Sequence, residues 1–60
     1  MPSPVRFAVV KKLLESKGYR LAHVSGSHHK FVKPGCLPLS VPVHRNEVKN
    51  VYFRLAQKAP

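Results

Sequence analysis

Acidic residues are scarce in this sequence of 60 residues: two Asp and Glu stand against eleven Lys and Arg, which gives a formal charge of +9 at pH 7. Because a strongly basic chain attracts polyanions, RNA or DNA is the first candidate partner. The alternative is a ribosome-associated or simply basic surface. Glu15 and Glu47 are the only acidic side chains, so the sequence contains no carboxylate pair for acid–base catalysis.

Cysteine is scarce and long apolar runs are absent. Cys36 is the single cysteine, so an internal disulfide is impossible, which fits the reducing cytoplasm. No apolar run approaches the roughly 20 residues of a membrane span. The N-terminus lacks the apolar segment of a signal peptide. We therefore predict a cytoplasmic protein without a membrane partner.

The length predicts a single domain, residues 1–60, with a small core. A nucleotide-binding fold or a deep cofactor pocket does not fit into so short a chain. We therefore expect no cofactor and a shallow active site made of few residues.

Hydrophobic periodicity predicts a first helix over residues 5–17. Ser3 is its candidate N-cap, Pro4 would take the first helical position, and Gly18 would end the helix. Residues 1–4 are expected to fray. The apolar stripe of this helix consists of Phe7, Val10 and Leu14, broadened by Val9 and Leu13.

Alternating polar and apolar residues then predict three strands, over residues 19–24, 28–33 and 39–44. The turns between them are rich in Gly, Ser and Pro. Pro42 cannot donate a ladder hydrogen bond, so the last of these strands is expected at the edge of the sheet.

A second helix is predicted over residues 45–58, with Asn46 as its N-cap. Its apolar stripe consists of Val48, Val51, Tyr52 and Leu55. The order of elements is thus α-β-β-β-α. Because a three-stranded sheet with one apolar face needs a cover, we predict a two-layer α+β sandwich with both helices on one face of an antiparallel sheet.

The hairpin of the second and third strands determines which way the histidines point. If this hairpin is symmetric about residue 36, Phe31 lies opposite Val41 on the buried face. The same register puts His28 opposite His44 on the open face, with Lys30 beside them. All three polar residues would then lie on one side of the sheet, and a slip of one residue would separate them.

The other two histidines are expected to be structural. His29 would point to the rim of the core as a hydrogen-bonded, partly buried side chain, and His23 would lie on the buried side of its strand. No pair of candidate ligands has zinc-finger spacing, and Cys36 lies at the far turn from His28 and His44. We therefore expect no metal.

Histidines on an open basic face suit the cleavage of RNA. A histidine exchanges protons near neutral pH, and the 2′-hydroxyl of RNA can attack the adjacent phosphate once a base removes its proton. His28 would be this base, His44 the acid for the leaving oxygen, and Lys30 the cation that stabilises the phosphorane. The residues alone support equally well two histidines that only contact phosphates.

Three runs of the sequence together resemble the HicA (YcfA-like) toxin family. They are residues 13–19, which read Leu-Leu-Glu-Ser-Lys-Gly-Tyr; residues 26–31, Gly-Ser-His-His-Lys-Phe; and residues 40–44, Ser-Val-Pro-Val-His. The resemblance covers about residues 5–58. It implies a fold related to the double-stranded RNA-binding domain and a metal-independent endoribonuclease that cleaves mRNA.

The resemblance also implies site residues and a partner. The family's catalytic histidine matches His28, and Gly26 and Ser27 would shape its turn. The chain would be the toxin of a toxin–antitoxin pair, a monomer alone or a hetero-oligomer with a HicB-type antitoxin that covers the site. Lys11, Lys12, Lys33 and Arg45 are candidate RNA contacts; for the first two, a solvated helix face is an equal alternative.

One segment departs from the family pattern. The last helix of the family commonly opens with a Lys-Pro-Gly-Thr-Leu-Arg-like run, whereas residues 49–54 read Lys-Asn-Val-Tyr-Phe-Arg. We predict a ribonuclease toxin in which His28 transfers the proton. The alternative is a non-catalytic RNA-binding module of the same fold; a DNA-binding role lacks a recognition-helix signal.

Overall fold

The structure, a computed structural model, describes residues 3–60, so Met1 and Pro2 of the tail expected to fray lie outside the described residues. The described residues form an α+β fold of five strands and two helices. In chain order these are β1 (Val5–Arg6), α1 (Phe7–Ser16), β2 (Arg20–Ser25), β3 (His28–Val32), β4 (Leu39–Pro42), β5 (Glu47–Val48) and α2 (Asn50–Lys58).

The main sheet is antiparallel with the order β2-β3-β4, so β3 is central and β4 is an edge strand, as Pro42 predicted. Both helices pack on one face of this sheet, which confirms the predicted two-layer sandwich resembling the double-stranded RNA-binding domain. The other face is open. One cluster of side chains from both layers forms the core: Val10, Leu14, Tyr19, Phe31, Val41, Val48 and Ala56.

The end of α1 follows the prediction, and its start does not. Gly18 has φ 95°, and the N–H groups of Gly18 and Tyr19 donate to the carbonyls of Glu15 and Leu14 at 3.0 Å. This pair of bonds is the Schellman motif, which a glycine at this position permits. The predicted cap at Ser3 and Pro4 is wrong: Val5–Arg6 is extended because it pairs with β5 in a second, two-stranded sheet.

The predicted start of the second helix is also wrong, because α2 begins at Asn50 and not at residue 45. His44 and Glu47 pair across a tight turn, with mutual backbone hydrogen bonds of 3.0 and 2.8 Å. Arg45 and Asn46 at its tip have φ 53° and 62°, which is typical of a type I′ turn. Asn46 is therefore a turn residue and not an N-cap.

The later start changes which side of α2 is buried. Val48 is buried in β5 and is not part of the helix, while Val51 and Leu55 are 57% and 51% exposed. The residues that pack against the core are Tyr52, Phe53 and Ala56. Two members of the predicted stripe thus face solvent.

The register of the β3–β4 hairpin differs from the predicted one. Phe31 lies opposite Leu39, His29 opposite Val41, and His28 opposite Pro42. The partner of each β3 residue is therefore two positions earlier than predicted. Because side chains alternate with a period of two, Phe31 and Val41 remain buried and His28 remains on the open face, but the predicted pairing of His28 with His44 is wrong.

Candidate functional site

The candidate site lies on the open face of the sheet, at the end where β2 turns into β3. Ser25 and His28 pair across a two-residue loop of Gly26 and Ser27. Gly26 has φ 57°, and glycine at the first loop position is typical of a type II′ hairpin turn. The Ser27 carbonyl accepts a hydrogen bond of 2.7 Å from the Val43 N–H. These contacts fix the start of β3, whose first residue is His28.

His28 is exposed, with Ser25 and Pro42 as its cross-strand neighbours. Lys30 is the next residue of β3 on the same face and is also exposed. Its neighbours are Ser40 on β4 and His23 on β2. The structure therefore brings His28 and Lys30 together, as the sequence predicted.

His23 joins this face because β2 contains a bulge. The register shifts between Leu21, which pairs with Phe31, and His23, which pairs with Lys30. The additional residue, Ala22, reverses the alternation of side chains beyond it. The prediction that His23 lies on the buried side is wrong: its side chain is exposed beside Lys30.

His29 has the structural role that its position predicted. It is half-buried, its ring lies 4.7 Å from the ring of Phe7, and its Nδ1 atom is 3.1 Å from the Ser27 carbonyl oxygen. It thus connects the loop before His28 to the start of α1. Consecutive histidines have different environments because neighbouring residues of a strand point to opposite faces.

His44 is not part of the sheet, because β4 ends at Pro42. It is exposed and pairs through its backbone with Glu47. It follows Val43, which contacts Ser27, so it lies at the same end of the molecule as His28. Its predicted position directly opposite His28 is nevertheless not observed.

The predicted RNA contacts lie in different places. Lys12 is exposed on α1, whereas Lys11 and Arg45 line a common cavity. Lys33 follows β3 at the opposite end of the sheet from His28. Its Nζ atom donates to the Pro60 oxygen at 3.1 Å and lies 5.7 Å from the centre of the Tyr19 ring. The structure therefore does not bring Lys33 to the candidate site.

The cavity that contains Lys11 and Arg45 is an open depression of about 590 Å³ at the start of α1. Its lining includes a third cation, Arg6, which was not among the predicted RNA contacts. No sequence pattern marks Arg6 as a member of this cavity, because the turn that brings Arg45 beside it was predicted as the start of a helix. Phe7, Asn46 and Glu47 also contribute to the lining.

Within residues 3–60, no three His, Cys, Asp or Glu side chains come together as a group that could hold a metal ion. Neither described helix is long and apolar enough to cross a membrane. Burial raises the pKa of the Tyr19 hydroxyl, and the Cys36 thiol beside it adds to this effect.

A family model matches most of the chain. The model of a family described as the HicA toxin of bacterial toxin–antitoxin systems matches residues 8–57. The matched residues include all of the main sheet and the turn before His28. No curated protein matches the chain.

Proposed function

Because the chain belongs to the HicA toxin family of bacterial toxin–antitoxin systems, we propose that it is an endoribonuclease that cleaves mRNA without a metal, with His28 as the essential proton-transfer residue. The observation that carries this proposal is the exposed pair of His28 and Lys30 on the open face of the sheet, in a chain of charge +9. Such a face attracts the RNA backbone, and a solvent-accessible imidazole can reach a bound nucleotide.

In the proposed reaction, His28 removes the proton of a ribose 2′-hydroxyl. The oxygen attacks the adjacent phosphorus, and the bond from phosphorus to the 5′-oxygen of the next nucleotide breaks. The 5′-oxygen leaves with a proton from an acid. The products are a 2′,3′-cyclic phosphate and a 5′-hydroxyl. Lys30 would stabilise the negative charge that develops on the phosphate oxygens.

His23 is the better candidate for the acid than His44. It lies directly across from Lys30, and therefore diagonally across from His28. Diagonal neighbours on adjacent strands are separated by about 7–8 Å, which leaves room for a phosphate between two imidazoles. His44 lies beyond the end of β4, so it is not a cross-strand neighbour of His28.

Cleavage of a labelled single-stranded RNA in the presence of EDTA tests the proposed function. We expect the wild-type chain to produce fragments that end in a 2′,3′-cyclic phosphate. The same sequence with 2′-O-methyl groups should be bound but not cleaved, because the nucleophile is blocked. Cleavage of both substrates, or cleavage that EDTA abolishes, would contradict this mechanism.

The pH profile of the rate separates the two candidate acids. With a base and an acid both required, the wild-type rate should pass through a maximum and fall on both sides. His23→Gln should lower the maximal rate by about 10²-fold and remove the fall on the alkaline side, because the acid that must stay protonated is gone. The matched variant His44→Gln should keep the maximum. The reverse result would assign the acid to His44.

One observation favours a second function, a non-catalytic RNA-binding module. Within residues 3–60, His28 has no side-chain hydrogen-bond partner that would orient its ring, unlike His29. A module of this kind would bind RNA with an affinity that falls steeply with salt and would release no fragments in the EDTA assay.

The proposal includes the partner and the compartment. An antitoxin of the HicB type would cover the open face and keep His28 from RNA, and its binding surface should be acidic to match a charge of +9. The chain would act in the cytoplasm, where mRNA is available, as a monomer when it is free of the antitoxin.

A further inference from the structure

The cavity at the start of α1 has a strongly one-sided charge. Three cations line it, namely Arg6, Lys11 and Arg45, and Glu47 is the only acid in the lining. The cavity of about 590 Å³ is open to solvent on one side and has Phe7 and Ala8 as its apolar wall. Its volume is typical of sites that hold a small molecule or one unit of a polymer, about 300–1,000 Å³.

The cations of this cavity differ from the lysines that stabilise the fold. Lys17 donates to the carbonyls of Gln57 and Ala59 at 2.5 and 2.7 Å, and Lys33 donates to Pro60. These two side chains hold the end of α2. Within residues 3–60, the side chains of the three cavity cations make no hydrogen bond. Their charge therefore remains available to an anion from outside.

The cavity adjoins the strand that carries His28. The Phe7 N–H donates to the Asn46 carbonyl at 2.8 Å, which attaches the turn of Arg45 to the start of α1. The ring of Phe7 lies 4.7 Å from that of His29, the residue after His28. His29 points to the face opposite His28, so the cavity and His28 lie on two sides of the same end of the sheet. A strand of RNA that crosses this end can contact both.

The turn holds Arg45 in a defined place. Its φ of 53° is a conformation that glycine and asparagine adopt more readily than arginine. The hydrogen bonds between His44 and Glu47 impose this conformation. Arg45 therefore extends from a hairpin tip whose backbone is already fixed, which reduces the backbone entropy that is lost when it binds a phosphate.

We infer that this cavity is a second subsite on the RNA, which takes one unpaired nucleotide next to the nucleotide that is cleaved. Its phosphate binds Arg6, Lys11 and Arg45, and the nucleoside packs against Phe7 and Ala8. The nucleotide must be unpaired, since a base within a duplex cannot reach a side-chain wall. This inference rests on the proposed function, because it assumes that RNA lies over His28.

The test uses a six-nucleotide 2′-O-methyl RNA at low salt, which binds without being cleaved, and follows NMR signals of the isotope-labelled chain. We expect the NMR signals of the backbone amides of Arg6, Ala8 and Asn46 to shift with the same midpoint in RNA concentration as those of the His28 ring.

Arg45→Asn should weaken binding about fivefold to tenfold, since a charge-assisted contact is lost. It should remove the cavity shifts and keep those of His28. Asparagine also suits the positive φ, so the variant should fold.

Arg54→Gln is the matched control, because it removes an exposed arginine from α2, a helix that contributes nothing to the cavity. Its effect on the affinity should be less than about twofold, as expected for one remote charge. Shifts confined to His23, His28 and Lys30, with equal effects of both arginine variants, would overturn the subsite and leave the proposed function standing. An unchanged spectrum would overturn both.

Discussion

The His28→Ala variant is expected to cleave RNA about 10²–10⁴ times more slowly than the wild-type chain, which is the usual contribution of a general base. Its fold should be unaffected, because the His28 side chain is exposed and has Ser25 and Pro42 as its only cross-strand neighbours. Substitutions at such surface positions change the free energy of unfolding by no more than about 0.5 kcal/mol. Single-turnover cleavage in EDTA measures the rate, and a thermal melt measures the change in stability.

Binding distinguishes the loss of a base from the loss of a contact. If His28 only transfers protons, the variant should bind the uncleavable 2′-O-methyl RNA with nearly wild-type affinity, since Lys30 and the basic surface remain. Expression in cells should then arrest growth for the wild type and not for the variant. Equal cleavage by the two proteins would remove His28 from the mechanism. A loss of binding as large as the loss of cleavage would favour the RNA-binding module.

The side of the sheet on which His28 lies was predictable from the sequence, and its neighbours were not. Alternation along β3 and β4 is enough to separate buried Phe31 and Val41 from exposed His28 and Lys30. The register depends on the loop between these strands. The Cys36 N–H donates to the Lys33 carbonyl, and Gly35 has φ 78°, so a tight turn replaces the symmetric loop that was assumed. The partner of His28 is consequently Pro42.

The bulge in β2 explains why the role of His23 was not predicted. Sequence patterns assume a strict period of two, and one additional residue reverses every side chain that follows. Bulges are often marked by glycine, but here the additional residue is Ala22, between Leu21 and His23. The pairing partner decides where the bulge forms, so only the structure shows that His23 lies beside Lys30.

The second missed feature, the basic cavity, has a similar cause. Residues 45–58 have enough apolar periodicity to be interpreted as one helix, and Asn46 is a good N-cap residue. A type I′ turn is normally recognised by a glycine, which Arg45 and Asn46 do not provide. The turn of Arg45 and Asn46 forms because β5 pairs with β1, while Glu47 of β5 pairs through its backbone with His44. The pairing of β5 with β1 is not local in the sequence.

Phe31→Ala is expected to unfold most of the protein at room temperature. Phe31 is the largest fully buried side chain, and its ring lies 6.2 Å from that of Phe7. Deleting a buried phenylalanine ring costs about 3–5 kcal/mol. A chain of 60 residues has a total stability of about 3–9 kcal/mol at 0.05–0.15 kcal/mol per residue, so the loss is comparable to the whole. Circular dichroism and urea unfolding measure it.

The functional consequence follows from the position of Phe31 in β3. Its side chain anchors the strand whose opposite face carries Lys30 and, three residues before Phe31, His28. Loss of this anchor should therefore abolish RNA cleavage together with folding, whereas His28→Ala should slow cleavage and leave the fold intact. Leu37→Ala is the matched control, since Leu37 is 86% exposed and its truncation should change stability by no more than about 0.5 kcal/mol. A Phe31→Ala protein that stays folded, or a Leu37→Ala protein that unfolds, would show that the core is not centred on β3.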